Sequence, residues 1–372
     1  MSSKFVVASC AATFGIFEQE PVERLRAAGC EVRINPYGRP LTPAEIIRHG
    51  EGAQVLVLGN DHLDATTISA LPELCMVARH GAGFDNIDFA ELTRRGIVIT
   101  NTPGANREET ADLTFALILD LARMVTQSVN QLKGGVWNKI PGRSLYGKTI
   151  GIIGVGSIGM AVARRAMGFG MDILGNDIVQ RDEAARYGLL YTSLNDLLAK
   201  SDIVTIHAPL TSATQNLLGA RELRHMKDGA LLVNTARAGI VREAALEKAL
   251  LSGKLGGYAV DVYEREPPTL SKFFDLPNVL TTPHIGSATF EANRRMGDMV
   301  VDNIIAFKDG NVPPNRVTAV DRVKFSWGCV QNCPSCESFG PLLHNRWQIA
   351  HTKVTSVQGL APCECPSRPR CL

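Results

Sequence analysis

The hydrophobic pattern of the first hundred residues alternates between short apolar runs and segments with apolar residues at helical spacing. Because strands that alternate with helices form parallel sheets covered by helices, this region is predicted to be an α/β domain. The predicted strands are 5–8, 31–34, 54–58, 76–79 and 97–100, and the predicted helices are 20–28, 43–48, 65–71 and 89–94.

The same alternation returns after a long amphipathic helix, which is predicted over 108–124. A polar, glycine-rich segment at 133–147, which contains Trp137, is predicted to be a loop or arm. A helix over 289–308 is expected to cross back to the first domain. The predicted strands of this second unit are 150–154, 171–174, 203–207, 230–234, 258–262 and 279–282.

A glycine motif links the first strand of the second unit to a helical pattern. Gly154 permits a tight turn, Gly156 allows a pyrophosphate to approach the backbone, and Gly159 allows close packing of helix on strand. The helix N-terminus offers unpaired N–H groups to the same pyrophosphate. The alternative is a glycine turn that serves packing alone. The surrounding strands and helix favour dinucleotide binding.

An acidic residue follows the next strand of this unit. Asp177 lies about 20 positions after the first glycine, where a carboxylate can accept hydrogen bonds from the adenosine ribose. A carboxylate at this place would repel a 2′-phosphate. We therefore predict NAD as the cofactor in preference to NADP.

Composition and charge narrow the classes of partner. The chain has 372 residues, enough for two domains, and a formal net charge of +2, which predicts neither a nucleic-acid nor a membrane partner. Val7-Ala8-Ser9-Cys10 is similar to a lipoprotein cleavage box, but too few apolar residues precede it for a signal sequence. A first strand fits this segment better, and a cytoplasmic enzyme is expected.

Three polar residues beyond predicted strand ends form a chemically coherent set. Ligands of open parallel sheets bind outside the carboxyl ends of the strands. His284 can exchange a proton with a substrate oxygen, Glu266 can orient its ring, and Arg237 can hold a carboxylate with two hydrogen bonds. The alternatives are structural: a strand-end histidine before a helix cap at Ser287, an exposed loop acid and an ordinary ion pair.

The order of these motifs resembles that of the D-isomer-specific 2-hydroxyacid dehydrogenases, especially their phosphoglycerate dehydrogenase-like branch. The resemblance extends from about Lys4 to Val317. Besides the glycine motif, it rests on RHGAGFDNID (79–88), NTPGAN (101–106), HAPLT (207–211), NTARAG (234–239), DVYEREP (261–267) and PHIG (283–286).

The resemblance implies a fold and a reaction. The expected fold is α/β with two domains, a Rossmann dinucleotide-binding domain inserted in a flavodoxin-like substrate domain. The expected reaction is the NAD-dependent interconversion of a small D-2-hydroxy acid and its 2-oxo acid. The predicted boundaries are 1–105 plus 287–318 for the substrate domain, 106–286 for the cofactor domain and 319–372 for a cysteine-rich tail.

The resemblance also implies a role for each candidate residue. Arg237 is expected to bind the substrate carboxylate and carbonyl, and His284 to donate or accept the proton with Glu266 as its partner. The backbone of Ala82 and Gly83 is expected to hold the substrate carboxylate. The implied cofactor contacts are Gly154, Gly156, Ser157, Ile158, Gly159, Asp177, Thr235, Ala236 and Asp261, with Thr110 and His207 as weaker ones.

Two further expectations follow from the resemblance. Relatives commonly dimerise through the cofactor domain, so a homodimer with the 133–147 arm in its interface is expected. Phosphoglycerate enzymes often carry an arginine after the third strand, where this chain has Gly59-Asn60-Asp61-His62. The acid there is expected to repel a phosphate, which argues against 3-phosphoglycerate as the substrate.

The cysteine-rich tail lies outside the resemblance. Cys329, Cys333 and Cys336 have the spacing of a radical-SAM iron–sulfur cluster motif, and Cys363, Cys365 and Cys371 follow. With a fourth ligand, three such thiolates can also bind zinc. The segment is too short for the barrel that such a cluster enzyme needs, so a disordered extension is the favoured interpretation. No metal is assigned to the predicted active site. The alternative to an enzyme is an NAD(H)-sensing interaction protein on the same scaffold, against which the complete Arg237, Glu266 and His284 set argues.

Overall fold

The computed structural model describes residues 4–269 and 272–317, which form two parallel β-sheets with helices on their faces. The tail cysteines and the proposed tail domain lie outside the described residues. The domain boundaries given above therefore stay a prediction.

The first sheet has five parallel strands in the order β2-β1-β3-β4-β5. This is the flavodoxin-like order, as expected. Its elements are β1 (Phe5–Ser9), α1 (Glu20–Ala27), β2 (Cys30–Arg33), α2 (Pro43–His49), β3 (Val55–Leu58), α3 (Ala65–Ser69), β4 (Met76–Arg79), α4 (Phe89–Arg94) and β5 (Val98–Thr100).

The second sheet has seven parallel strands in the order β12-β11-β10-β9-β6-β7-β8. Counted from β6, this is the Rossmann order with one strand added beyond the sixth. Its strands are β6 (Thr149–Ile153), β7 (Asp172–Asn176), β8 (Leu189–Tyr191), β9 (Ile203–Ile206), β10 (Ala230–Asn234), β11 (Leu255–Val260) and β12 (Val279–Thr281). The helices from this point on are α5 (Arg107–Arg123), α6 (Val125–Lys133), α7 (Ser157–Gly168), α8 (Leu194–Lys200), α9 (Ala220–His225), α10 (Glu243–Leu251) and α11 (Phe290–Lys308).

The central strands are buried on both faces, which explains their continuous apolar runs. Every residue of β1, β3, β4, β9 and β10 is buried. Helices cover both faces of a parallel sheet, so its strands lack the alternation of a half-exposed strand. The same arrangement brings the carboxyl ends of the strands, and the polar residues that follow them, to one edge of each sheet.

The chain returns to the first sheet after the second is complete. Helix α11 packs against α1 and β4, and the backbone of Val317 donates to Ile99. Helix α5 packs on α7 and on β10 and β11. The second sheet is thus inserted in the first unit, and the predicted fold class is confirmed.

Three local predictions were incomplete or wrong. Helix α5 ends at Arg123 because Met124 adopts the left-handed conformation, and a separate helix, α6, follows it. Strand β8 has only three residues at the sheet edge and was not predicted. The cap of α11 is Thr289, whose side chain accepts from the N–H of Ala292, and not Ser287.

Candidate active site

Glu266 and His284 form a hydrogen-bonded pair at the carboxyl edge of the second sheet. Nδ1 of His284 lies 2.7 Å from both carboxylate oxygens of Glu266. A carboxylate only accepts, so Nδ1 carries the hydrogen and donates it. Nε2 is therefore the ring atom that can exchange a proton with a ligand. The two side chains are partly exposed.

A buried carboxylate supports the backbone turn that presents His284. Asp261 follows β11, and its two oxygens accept from the N–H groups of Ile285 and Gly286, each at 2.8 Å. The hydroxyl of Thr282 donates to it at 2.6 Å. Burial raises the pKa of Asp261, and these hydrogen bonds oppose the rise. The predicted cofactor residue Asp261 is thus engaged with the His284 turn.

Arg237 lies against the loop that follows β4. Its Nε donates to Asp85 at 2.8 Å, and its Nη1 donates to the carbonyl of Ala236 at 2.7 Å. A Cβ atom placed on Gly83 would overlap Nη2 of Arg237, so a side chain at this position would displace the end of the guanidinium. The structure therefore brings Arg237 to the predicted substrate loop of Ala82 and Gly83.

The glycine motif has the close contacts that its spacing predicts. A Cβ on Gly159 would collide with the carbonyl oxygen of Gly154, and one on Gly154 would collide with the backbone of His207 and Ala208. At Gly156 the space is open. Helix α7 begins at the next residue, and its first N–H groups lack a side-chain cap. This open helix N-terminus, with Ser157 exposed and Ile158 half-buried in its first turn, fits a dinucleotide pyrophosphate.

Asp177 stands directly after β7 and contacts the glycine loop. Its carboxylate accepts from the N–H of Val155 at 2.6 Å and from the N–H of Val179 at 2.9 Å. Arg181 lies 3.8 Å from the same carboxylate. Its position beside the glycine loop is compatible with the predicted ribose contact.

A row of threonines connects α5 to the second sheet. The hydroxyl of Thr110 donates to the carbonyls of Asn106 and Gly286, and Thr114 pairs with Thr235 at 3.0 Å. Thr114 was not among the predicted residues. It lies one helical turn after Thr110, and that spacing was the available signal.

His207 is held as a neutral ring. Its Nε2 pairs with the hydroxyl of Thr205 at 2.9 Å, and burial lowers the pKa of His207 to about 3. A ring that is uncharged at neutral pH is a poor proton donor. The geometry is therefore compatible with the predicted cofactor contact, and His284 remains the candidate for acid–base chemistry.

The loop after β3 needs one correction. The acid expected to face a substrate phosphate, Asp61, is buried, and its oxygens accept from the N–H groups of Leu41 and Gly59. Its neighbour Asn60 instead points into the site, 3.2 Å from Oε2 of Glu266. Sequence reasoning missed Asn60, although it lies two residues beyond a strand end, where ligand-facing residues are expected.

Comparison with known proteins shows which family this chain resembles. Residues 115–286 match the family model for the NAD binding domain of D-isomer specific 2-hydroxyacid dehydrogenases. The glyoxylate reductase of Korarchaeum cryptofilum is 44% identical over 287 residues, which are 75% of this chain and 86% of the relative. The chain belongs to the D-isomer specific 2-hydroxyacid dehydrogenase family.

Two further relatives carry different names. The D-3-phosphoglycerate dehydrogenase of Archaeoglobus fulgidus is 38% identical over 78% of this chain and 56% of its own length. The D-lactate dehydrogenase of Aquifex aeolicus, solved in complex with NAD and lactic acid, has a TM-score of 0.73 and 28% identity. That comparison covers 84% of this chain and 98% of the relative.

These comparisons confirm the predicted family, fold class and reaction. This 2-hydroxyacid dehydrogenase is an NAD-dependent oxidoreductase that interconverts 2-hydroxy and 2-oxo acids. The role of each residue stays a prediction. Among the described residues, none of the helices has the length and apolar character needed to cross a membrane.

The close contact between Gly83 and Arg237 predicts how the methyl group added by Gly83→Ala would affect the KM. Gly83→Ala should displace the guanidinium, break its ion pair with Asp85 and raise the KM for a 2-oxo acid by about 10- to 100-fold. Steady-state kinetics with NADH and glyoxylate measure this effect.

Gly168→Ala is the matched control, because a Cβ at Gly168 meets no atom within 4 Å. It should keep the wild-type KM. An unchanged KM in Gly83→Ala, in a protein that melts like the wild type, would contradict the proposed approach of Arg237 to this loop.

Proposed function

We propose that this dehydrogenase is a cytoplasmic enzyme that reduces a small, unphosphorylated 2-oxo acid of the glyoxylate and hydroxypyruvate class with NADH. The observation that carries the proposal is the meeting of Arg237 with the Gly83 loop beside the Glu266–His284 pair. One cation to hold a carboxylate and one imidazole to supply a proton are what this reduction requires.

Each residue then has a defined task. The nicotinamide, when bound, supplies the hydride that reaches the carbonyl carbon. Arg237 grips the substrate carboxylate, and the backbone N–H groups of Ala82 and Gly83 share its charge. His284 gives the proton on Nε2 to the carbonyl oxygen, while Glu266 keeps Nδ1 bonded and stabilises the imidazolium. In the oxidative direction, Nε2 takes the proton back.

The chemistry around Asn60 supports a substrate without a phosphate. The loop after β3 presents the uncharged amide of Asn60 to the site, where the recognition of a phosphate would need a cation. Arg79, the nearest cation on β4, donates to Asn60 and to the carbonyls of Leu58 and Gly83. A phosphate would have to compete with these hydrogen bonds. The name of the 44% identical relative, glyoxylate reductase, points to the same substrate class.

Removal of the proposed proton donor tests this function. His284→Ala should lower kcat for glyoxylate reduction by about 10²- to 10⁴-fold, because the reaction loses its general acid. NADH affinity, measured by fluorescence titration, should stay close to that of the wild type.

Glu266→Gln is the companion variant. It keeps a side chain of the same size but removes the charge that favours the imidazolium, so a smaller loss of kcat is expected. Wild-type kcat in His284→Ala, or no turnover of glyoxylate, hydroxypyruvate or pyruvate by the wild type, would refute the proposal.

Asp177 supports a preference for NAD over NADP. Its carboxylate would lie beside the adenosine ribose, where a 2′-phosphate would meet a negative charge. The hydrogen bonds from Val155 and Val179 hold the carboxylate beside the glycine loop.

Asp177→Ala should therefore lower kcat/KM for NADH by about 10- to 100-fold and bring the NADH and NADPH values together. Asp182→Ala, an exposed acid five residues later, is the control and should keep the NADH preference. Equal use of both cofactors by the wild type would contradict this assignment.

We also propose a homodimer through the cofactor domain. None of the residues of α6 is buried by the described residues 4–269 and 272–317, although Val125, Val129 and Leu132 are apolar. The following arm exposes Trp137 and Tyr146, each by 80% or more. An exposed apolar surface of this kind is typical of a protein interface.

Leu132→Glu should weaken this dimer, because a carboxylate would be buried against apolar side chains. Light scattering after size exclusion should show a dimer for the wild type and a larger monomer fraction for Leu132→Glu at micromolar concentration. Leu251→Glu, at an equally exposed leucine of α10, should remain dimeric. A monomeric wild type would rule the proposal out.

A further inference from the structure

One side chain of the first sheet reaches the proton-donor pair of the second. Nδ2 of Asn60 lies 3.2 Å from Oε2 of Glu266 and 3.1 Å from Nδ1 of His284. Nδ1 already donates its hydrogen to the carboxylate, so it offers no acceptor to Asn60. The Asn60 amide must therefore donate to Glu266.

A buried arginine determines which way this amide points. Nη2 of Arg79 donates to Oδ1 of Asn60 at 3.3 Å, and Nε of Arg79 donates to the carbonyl of Gly83 at 2.9 Å. With the amide oxygen bound to Arg79, the amide nitrogen faces Glu266. Burial and the nearby charge of Arg237 lower the pKa of Arg79 to about 10, so it remains charged at neutral pH.

We propose that Asn60 is a positioning residue that crosses the cleft between the two sheets and holds Glu266, and through it His284, in the orientation for proton transfer. This inference rests on the proposed function. Because Asn60 follows β3 and its partners lie on the second sheet, the contact forms only where the two domains meet. The Glu266–His284 pair therefore has its full set of hydrogen bonds only when the two domains are in contact.

The carboxylate of Glu266 is held from two sides. Its own loop provides the N–H of Tyr263, 3.3 Å from Oε1, and the opposite domain provides Asn60 at Oε2. Without Asn60 the carboxylate can rotate, and the ring bonded to it turns as well. Nε2 then loses its alignment with the substrate oxygen. Arg237 and the Gly83 loop, which hold the substrate, keep their contacts.

The first experiment separates kcat from KM. Asn60→Ala should lower kcat for glyoxylate reduction by about 10-fold and change the KM by less than about twofold, because orientation is lost and binding is kept. Asn60→Asp keeps the oxygen that Arg79 binds but sets a second carboxylate against Glu266. Its kcat should fall at least as far.

Asn86→Ala is the matched control. The side-chain amide of Asn86 donates to the carbonyls of Gly59 and Asp61 in the same loop. It forms no hydrogen bond with Glu266 or His284. Its kcat should stay within about twofold of the wild type. A kcat loss in Asn86→Ala equal to that in Asn60→Ala would overturn the proposal in favour of simple loop integrity, as would a wild-type kcat in Asn60→Ala.

A spectroscopic measurement keeps this inference separate from the proposed function. The Nδ1–H proton resonance of His284, assigned by its loss in His284→Ala, should move in Asn60→Ala and stay in place in Asn86→Ala. An unchanged resonance in Asn60→Ala would overturn the role of Asn60, even if the wild type reduces glyoxylate. If the wild type reduces no 2-oxo acid, the proposed function fails, and the resonance alone decides whether Asn60 positions this pair.

Discussion

The hydrogen bond between Glu266 and His284 is the interaction on which the rest of the site depends. It places the ring hydrogen on Nδ1 and leaves Nε2 for the substrate. It also joins two loops that follow different strands of the second sheet. The parallel topology explains why these loops lie together, because the carboxyl ends of neighbouring strands share one edge. Arg237 reaches the same edge from the end of β10.

The backbone of His284 is held in an unusual conformation. Its φ of 54° lies in the left-handed region, which costs a residue other than glycine about 1–3 kcal/mol. The two N–H groups that follow it are bound by the buried carboxylate of Asp261. Charge-assisted hydrogen bonds of this kind offset the strain and hold the backbone from which the ring projects. Asp261 thus positions the backbone of the proposed proton donor.

Contacts between the two sheets complete the site. Arg237 is paired with Asp85 of the first sheet, and Glu266 accepts from Asn60 of the first sheet. Neither sheet by itself therefore contains the full arrangement. This division agrees with the proposal that the reaction takes place in the cleft, where a ligand can be shielded from water.

The sequence by itself determined the fold class, the position of the glycine motif and the strand ends that bear Arg237, Glu266 and His284. These features depend on local periodicity and on the spacing of the glycines along the chain. The missed helix α6 shows the limit of that reasoning, because none of its residues is buried by the part of the chain that the structure describes.

Only the tertiary structure decided which polar residue of the β3 loop faces the site. Asn60 and Asp61 are adjacent, and either could be ligand-facing by its distance from the strand end. The outcome depends on partners far along the chain, since Asn60 and Glu266 are 206 positions apart and Asp61 binds Leu41. The orientation of a side chain with several possible partners depends on the complete fold, and it cannot be predicted from the neighbouring residues in the sequence.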